Sequence, residues 1–326
     1  MNYPKYVQFY PTLKCNQSCT FCFNNILDSS SYKNISLKDT YVLVDVLAKK
    51  GIAEIDVLGG EPLLLPWMKD FVSFVTGSGI TVNISTNGSI PDALNGLMEV
   101  HSEFLNIGFS VHGFSETHNS LTCSDNFLKV ITGVKNMVSA GKFPVVKSVL
   151  MRGNIDEIQD LVAFLAEIGI KKYYLMYEDI MGRKEQNAGF SFPEFWRFFS
   201  ALKSHMKKTL DVNFVAASGF SPANTQITGR CSAGVQKIAI MPDGSVFPCN
   251  LFACFREFYL GNIFRDGLEQ VWSNPILDFF RMNHPDNTCK VTTCKHFAKC
   301  RGGCPAHSYF FYRSLDAADP RCEIKK

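Results

Sequence analysis

From Tyr6 to Glu178 the chain alternates short apolar runs with amphipathic stretches, and this alternation limits the fold more than any other feature. The apolar runs are YVQFYPT (6–12), AEIDVLGG (53–60), ITVNISTNG (80–88), FLNIGFSVHG (104–113), PVVKSVLMRG (144–153) and KKYYLMYE (171–178). Between them lie SLKDTYVLVDVLAKKG (36–51), WMKDFVSFVTGSG (67–79), PDALNGLMEV (91–100), a helical stretch from Asp125 to Ala140 and IDEIQDLVAFLAEIG (155–169). Ser36 and Asp39 have the spacing of a helix capping box, and Gly51 and Gly141 are stop signals. Six largely apolar strands, each followed by a helix, read as a parallel sheet covered by helices. Units of about 25 to 35 residues suit an α/β fold of the partial (β/α)6, TIM-like barrel type. A doubly wound open sheet is the alternative, and pattern alone does not separate the two.

Beyond residue 182 the character changes. FPEFWRFFSALKSHMKK reads as a helix, and IAIMPDGSVFPC reads as two strands joined by a Pro-Asp-Gly hairpin turn. GLEQVWSN and ILDFFRM are short helices. The last forty or so residues are rich in Cys, Lys and Gly with little apolar periodicity, and such a segment needs metal cross-links to hold together. We divide the chain into a barrel over residues 1–215 and a Cys-rich domain of hairpin and short helices over 216–326.

A formal net charge of +3 gives no reason to expect nucleic acid as a partner. The N-terminus MNYPKYVQFY is no signal peptide, and no run reaches the roughly 18 apolar residues that span a bilayer. A cytoplasmic location is expected, with no membrane partner. There the 12 cysteines stay reduced, and their spacing points to metal rather than to disulfides. Three lie before residue 23, Cys123 stands alone, and eight fall between Cys231 and Cys322.

The first three form KCNQSCTFCFNN (14–25), with Cys15, Cys19 and Cys22 in C-x3-C-x2-C spacing and the aromatic Phe21 before the last. Three thiolates on one loop suit three corners of a [4Fe–4S] cubane and leave one iron open for a ligand. A zinc knuckle that borrows a histidine, or three incidental thiols, are the other readings.

With its neighbours this stretch resembles the signature of the radical S-adenosylmethionine (SAM) enzymes, C-x3-C-x-aromatic-C after the first barrel strand. Gly59, Gly60, Glu61 and Pro62 resemble that family's GGEP motif, which implies that they bind the amino group of SAM. An acid there can pair with an ammonium. The resemblance further implies ribose or carboxylate contacts for Ser85, Asn87 and Ser110, and a position beside the adenosine for Asn154. Each of these also suits an ordinary turn or cap.

The later cysteines resemble the SPASM domain of radical SAM enzymes. Cys231, Gly244 and Cys249 follow C-x12-G-x4-C, and Cys294-x5-Cys300-x3-Cys304 and Cys322 follow the second block. One departure is Cys289-x4-Cys294 in place of C-x2-C. The resemblance implies two auxiliary [4Fe–4S] clusters. Cys289, Cys294, Cys300 and Cys322 would hold the one farther from SAM. Cys231, Cys249 and Cys304 would hold the nearer, with Cys254 as the candidate fourth ligand. Zinc is again the other reading. Cys123 is left over. It is read as a buried small hydrophobe, with a hydrogen-atom donor as its catalytic alternative.

What the resemblance implies about activity is a 5′-deoxyadenosyl radical, made from SAM, that modifies a ribosomally made precursor peptide by cross-linking, epimerisation or backbone excision. No leader-binding domain precedes the first strand, so a separate leader-peptide-binding protein is expected, together with an electron donor such as flavodoxin or ferredoxin. The alternatives are an anaerobic sulfatase-type maturase, a small-molecule dehydrogenase, and a non-enzymatic electron carrier. Asn250, where the sulfatase-type version expects an acid, counts against the first. The carrier needs neither an open iron nor GGEP. No general base stands out. Glu178, Asp179 and Arg183, after the sixth strand, belong either to the barrel's catalytic end or to a solvated loop.

Overall fold

The structure is a computed structural model and describes residues 3–182, 189–206, 208–216, 230–282 and 301–322. Arg183, Cys289, Cys294 and Cys300 lie outside the described residues.

Strands β1 (Tyr6–Phe9), β2 (Glu54–Val57), β3 (Thr81–Thr86), β4 (Leu105–Ser110), β5 (Val145–Leu150) and β6 (Lys172–Tyr177) form where the apolar runs predict them. A seventh, β7 (Asp211–Val215), pairs in parallel with β6. The helices between them are α1 (Leu37–Lys49), α2 (Met68–Gly77), α3 (Pro91–Met98), α4 (Ser115–Thr122), α5 (Phe127–Ser139), α6 (Ile155–Glu167) and α7 (Phe192–Met206). Ser36 caps α1: its Oγ accepts from the Asp39 amide at 3.1 Å and donates to Asp39 Oδ2 at 2.6 Å. The buried side of α1 is Thr40, Leu43, Val44 and Leu47, the stripe a 3.6-residue repeat requires.

The ten-stranded sheet runs β10-β9-β8-β1-β2-β3-β4-β5-β6-β7. From β1 to β7, neighbours in space are neighbours in sequence. With right-handed crossovers, that order lays every helix on the same face. A doubly wound sheet needs a reversal of strand order, and none occurs from β1 to β7, so the barrel-type reading holds for those seven strands. Burial alternates along β2, β3 and β5. Ile55, Val57, Val82, Ile84 and Val146 lie buried under the helices. Gln8, Asp56, Asn83, Asn106 and Lys147 line the other, half-open face, in register across the strands except for Lys147 beside Ser110. Helices cover one face.

The Pro-Asp-Gly hairpin forms between β8 (Lys237–Ile240) and β9 (Ser245–Phe247). Gly244 sits at φ +83, and a Cβ there would strike the Phe264 ring at 2.5 Å. Strand β8 pairs in parallel with β1. The Cys-rich segment therefore begins on the same sheet as the barrel strands, at the free edge of β1. Strand β10 (Gly261–Asn262) and helices α8 (Ile263–Trp272), α9 (Asp278–Arg281) and α10 (Pro305–Tyr312) complete the described elements. Among the described residues no helix is long and apolar enough to cross a membrane.

Candidate active site

The loop that follows β1 carries Cys15, Cys19 and Cys22, the first exposed and the others partly buried. The end of β2 fixes its course. Gly60 donates its amide to Thr12 O at 3.0 Å, and Glu61 donates to Lys14 O at 2.8 Å. A Cβ on Gly60 would lie 2.0 Å from the Lys14 carbonyl oxygen, and one on Gly59 (φ +123) would lie 2.3 Å from that of Thr12. Both glycines are needed because the chain's own cysteine loop comes this close. Asn24 donates to Gly59 O at 2.8 Å and closes the loop from its far side.

Burial pushes the Cys19 thiol up to about 12, and Cys22 and Cys15 push it the same way. Cys15 is raised by burial, then by Glu61 and Cys22. Three thiols that oppose one another's ionisation suit a cationic iron group that binds them as thiolates. Among the described residues no three His, Cys, Asp or Glu side chains are gathered tightly enough for a single metal ion.

The Glu61 carboxylate is engaged by the protein's own donors. The side chain is 1% exposed. Oε1 accepts from the Leu63 amide at 3.0 Å and the Thr86 hydroxyl at 2.8 Å, and Oε2 accepts from the Asn87 amide at 2.7 Å. Glu61 is a brace between the ends of β2 and β3. Burial raises its pKa, and the donors it accepts from oppose the rise. Pro62, buried, opens the short turn behind it.

The other predicted SAM contacts divide. Asn87 donates to Asn16 Oδ1 at 2.9 Å, and Asn16 donates to Ser89 Oγ at 2.7 Å, which sews the β3 loop to the cysteine loop. Ser85 and Ser110 lie on the half-open face, partly buried. Ser85 accepts from Lys147 Nζ at 2.8 Å. Asn154 is held by the backbone around it. It is 2% exposed, and its amide donates to His112 O at 2.7 Å and Val149 O at 2.8 Å while its oxygen accepts from Met151 N. It staples the β5–α6 turn to the end of β4. His112, which the sequence reading passed over, packs its ring against Phe21 of the cysteine motif at 4.6 Å between centroids. Burial holds it neutral, down at about 3.

Cys123 is exposed, not buried. It ends α4 in the left-handed conformation at φ 49. The same turn leans on the cysteine loop, where Thr20 donates its amide to Leu121 O at 2.9 Å and Gln17 donates to Ser124 Oγ at 2.9 Å.

Of the later cysteines, Cys231, Cys249 and Cys304 are buried and Cys254 and Cys322 partly so. The first three converge: Cys231 and Cys249 each raise the Cys304 thiol, after burial and Asp319, and Cys231 raises Cys249. Cys249 stands at about 11, raised by burial against the opposing charge of Lys237. Burial raises the Cys254 thiol, with Cys249 adding to the rise, and the thiol points to Leu251 O at 3.6 Å.

Charged residues that carry no sequence pattern hold this region. Arg230 donates to Gly303 O at 3.0 Å, Leu315 O at 2.5 Å, Ala317 O at 2.8 Å and Ser308 Oγ at 2.9 Å. Asp319 takes two parallel 2.8 Å bonds from Arg321 and a third, 2.9 Å, from the Cys304 amide. Arg321 also donates to Glu178 O at 2.8 Å, so Glu178 lies under the C-terminal segment and is no solvated loop.

The two cysteine regions meet at Tyr10. Its hydroxyl accepts from Asn250 Nδ2 at 2.9 Å. Burial raises its pKa, as do the nearby Cys249, Cys22 and Asp179, against the Asn250 bond. Asp179 stands 3.5 Å from His307 Nε2, its side chain 31% exposed. Burial raises its carboxyl, with Arg321 and Lys237 opposing.

Residues 9–165 match the Radical SAM superfamily, and residues 231–301 match SPASM, an iron-sulfur cluster-binding domain. The mycofactocin maturase MftC of Mycobacterium ulcerans is 26% identical over 327 residues, covering 95% of this chain and 85% of that protein. The subtilosin biosynthesis protein AlbA of Bacillus subtilis is 26% identical over 311 residues, covering 92% of this chain and 67% of that protein. The crystal structure of Streptococcus suis SuiB bound to S-adenosylmethionine superposes with a TM-score of 0.84 at 20% identity, covering 99% of this chain and 78% of that one. At that identity the likeness speaks for the fold. The cofactors are those of the two domains, [4Fe–4S] clusters and S-adenosylmethionine. The chain belongs to the radical SAM enzymes that carry a C-terminal SPASM domain.

Proposed function

We propose that this enzyme modifies a ribosomally made precursor peptide in the cytoplasm, with substrate entering over the half-open face of the sheet. The observation that carries the reading is Tyr10, placed between the loop of Cys15, Cys19 and Cys22 and the group of Cys231, Cys249 and Cys304. Its support in relatives is what their names say: MftC is a mycofactocin maturase, and AlbA serves biosynthesis of the bacteriocin subtilosin.

An iron–sulfur cluster with SAM supplies one-electron cleavage of SAM to a 5′-deoxyadenosyl radical. The residues have the following parts. Cys15, Cys19 and Cys22 hold the SAM-binding cluster, and Gly59, Gly60, Glu61 and Pro62 keep their loop in place. Asn87, Ser85 and Ser110 line the SAM side of the half-open face. Cys231, Cys249 and Cys304, with Cys254, hold the nearer auxiliary cluster. Cys322, with Cys289, Cys294 and Cys300, holds the farther one. Asp179 faces the space beside Tyr10 and is the candidate proton acceptor there. A separate leader-peptide-binding protein and a flavodoxin or ferredoxin serve as partners.

The test is anaerobic reconstitution followed by incubation with SAM, reductant and candidate precursor peptides. About 12 iron and 12 sulfide per chain, with 5′-deoxyadenosine and a peptide mass change formed together, are expected. About four iron with bound zinc, or 5′-deoxyadenosine with every peptide unchanged, would sink the reading.

A further inference from the structure

Lys147 has no role in the scheme above, yet its side chain takes an unusual course. On β5 it stands level with Ser110 of β4, while Gly108 of β4 stands level with Ser85 of β3. A repeat of two residues along each strand puts all four on one face of the sheet. The ammonium does not stay level with Ser110. It crosses β4 over Gly108 and donates to Ser85 Oγ at 2.8 Å. A Cβ on Gly108 would lie 2.7 Å from Lys147 Cε and 3.1 Å from Nζ. The glycine leaves the channel that the lysine fills.

This course takes the charge down the strands. Ser110 and Lys147 stand nearer the C-terminal ends of β4 and β5 than Gly108 and Val145 do. The cysteine loop lies beyond those ends, where Asn87 binds Asn16. The ammonium therefore points away from the cysteine loop, along the half-open face. Farther down, Asn83 holds two carboxylates, donating to Glu54 Oε1 at 2.7 Å and Asp56 Oδ1 at 2.9 Å. Asn106 donates to Asn83 in turn at 2.9 Å. A cation above and acids below give this face a gradient of charge.

Among the described residues no carboxylate is close enough to pair with Lys147. Burial lowers its pKa, and Asp56 opposes the fall from a distance. Ser85 Oγ accepts from the ammonium and keeps its own proton to give. Ser110, level with Lys147, brings a second hydroxyl. An ammonium and two hydroxyl hydrogens are a set of donors. They suit a ligand that only accepts hydrogen bonds and carries negative charge.

We infer that Lys147, with Ser85 and Ser110 beside it, binds a carboxylate of the peptide substrate and is a specificity-determining residue. The inference rests on the proposed reading that the substrate is a ribosomally made peptide. Such a peptide brings its negative charge as carboxylates, on Asp, on Glu or at its C-terminus. A lysine partly withdrawn from water gains more from an arriving carboxylate than a solvated one does. Glu54 and Asp56 repel a carboxylate that slides deeper, so charge fixes how far the peptide enters. SAM has a carboxylate too. The direction of the ammonium, away from the cysteine loop, favours the peptide.

The test uses the full reconstituted chain with saturating SAM and two pairs of blocked peptides. One pair is acetyl-Gly-Glu-Gly-amide and acetyl-Gly-Gln-Gly-amide; the other is acetyl-triglycine and its amide. Calorimetry compares the parent with Lys147→Met, Lys147→Gln, Lys147→Arg and Gly108→Ala. In the parent, one acid should bind at least about tenfold more tightly than its neutral partner, and the pair that shows it tells side chain from C-terminus. The preference should vanish in Lys147→Met and Lys147→Gln and survive in Lys147→Arg. Gly108→Ala should shrink it, because the methyl displaces the lysine's end and leaves its charge. A preference that persists in both neutral variants overturns the inference. If those variants do not fold, an undiminished preference in Gly108→Ala overturns it. SAM is titrated into each variant, and a loss of SAM affinity in the neutral ones would assign the ammonium to SAM and overturn it as well. A parent that modifies a precursor peptide but shows no acid preference sinks this inference alone. A parent that binds no probe and modifies no precursor sinks the peptide reading first, and the inference falls with it.

Discussion

Asn250 donates its side-chain amide to the hydroxyl of Tyr10 at 2.9 Å, across 240 residues of sequence. A second bond, from the Asn250 backbone amide to Gln8 Oε1 at 3.2 Å, holds the same turn to β1. Tyr10 is 1% exposed, so its hydroxyl has no water to fall back on. Asn250→Ala leaves that oxygen buried without this donor, and we expect a loss of about 1–3 kcal/mol. Chemical denaturation of the reconstituted protein measures it. A midpoint unchanged from the parent would mean that another group takes over the bond.

The two glycines before Glu61 give a sharper expectation. In Gly60→Ala the new methyl would meet the Lys14 carbonyl at 2.0 Å, and neither partner is a flexible side-chain end. The cysteine loop must shift. Iron per chain should fall by about four, and SAM cleavage should be lost while the C-terminal clusters remain. A variant with full iron and normal 5′-deoxyadenosine formation would show that the close approach is dispensable.

Cys123 tests a different point. It holds a left-handed backbone at φ 49, a conformation that costs a non-glycine residue of order 1 kcal/mol or more. Cys123→Gly should raise the melting temperature slightly and leave iron content and peptide modification unchanged. Loss of modification with SAM cleavage intact would instead point to the thiol as a hydrogen-atom donor.

The parts of this protein that repeat were legible in its sequence. Six barrel strands, the capping box at Ser36, the hairpin at Gly244 and both cysteine blocks have a period or a spacing that survives without coordinates. Strand β7 was missed because DVNFV is short and follows a long helix. Helix α4 was missed because SETHNSLT offers almost no apolar stripe. Side-chain roles were less legible than positions. Glu61 and Asn154 lie just past strands β2 and β5, and hydrogen bonds to Thr86, Asn87, His112 and Val149 hold them. Spacing cannot report whether a carboxylate or amide is already satisfied. Arg230, Lys237, Asp319 and Arg321 left no trace, because a lone charge is indistinguishable in sequence from a solvated one. The nearest signal was position: Arg230 precedes Cys231, and Asp319 and Arg321 stand just before Cys322.

Asp319 supplies the last prediction. Burial by itself would raise its carboxyl, but the Arg321 guanidinium outweighs that and holds the group well below the usual carboxylate range. A depressed folded pKa contributes stability that is complete above the unfolded value of 3.8 and is lost as pH falls through the folded one. The apoprotein should therefore lose stability as pH falls below about 4, and Asp319→Asn should flatten that part of the profile. At neutral pH the same variant leaves Arg321, 6% exposed, as a buried charge without its carboxylate. The expected cost is about 3–5 kcal/mol. Because Asp319 also accepts from the Cys304 amide at 2.9 Å, the variant should lose iron from the C-terminal domain before it loses SAM cleavage. Denaturation across pH, with iron counted at each step, separates the two effects. A parallel acid limb in Asp319→Asn and the parent would assign the acid sensitivity to other carboxylates.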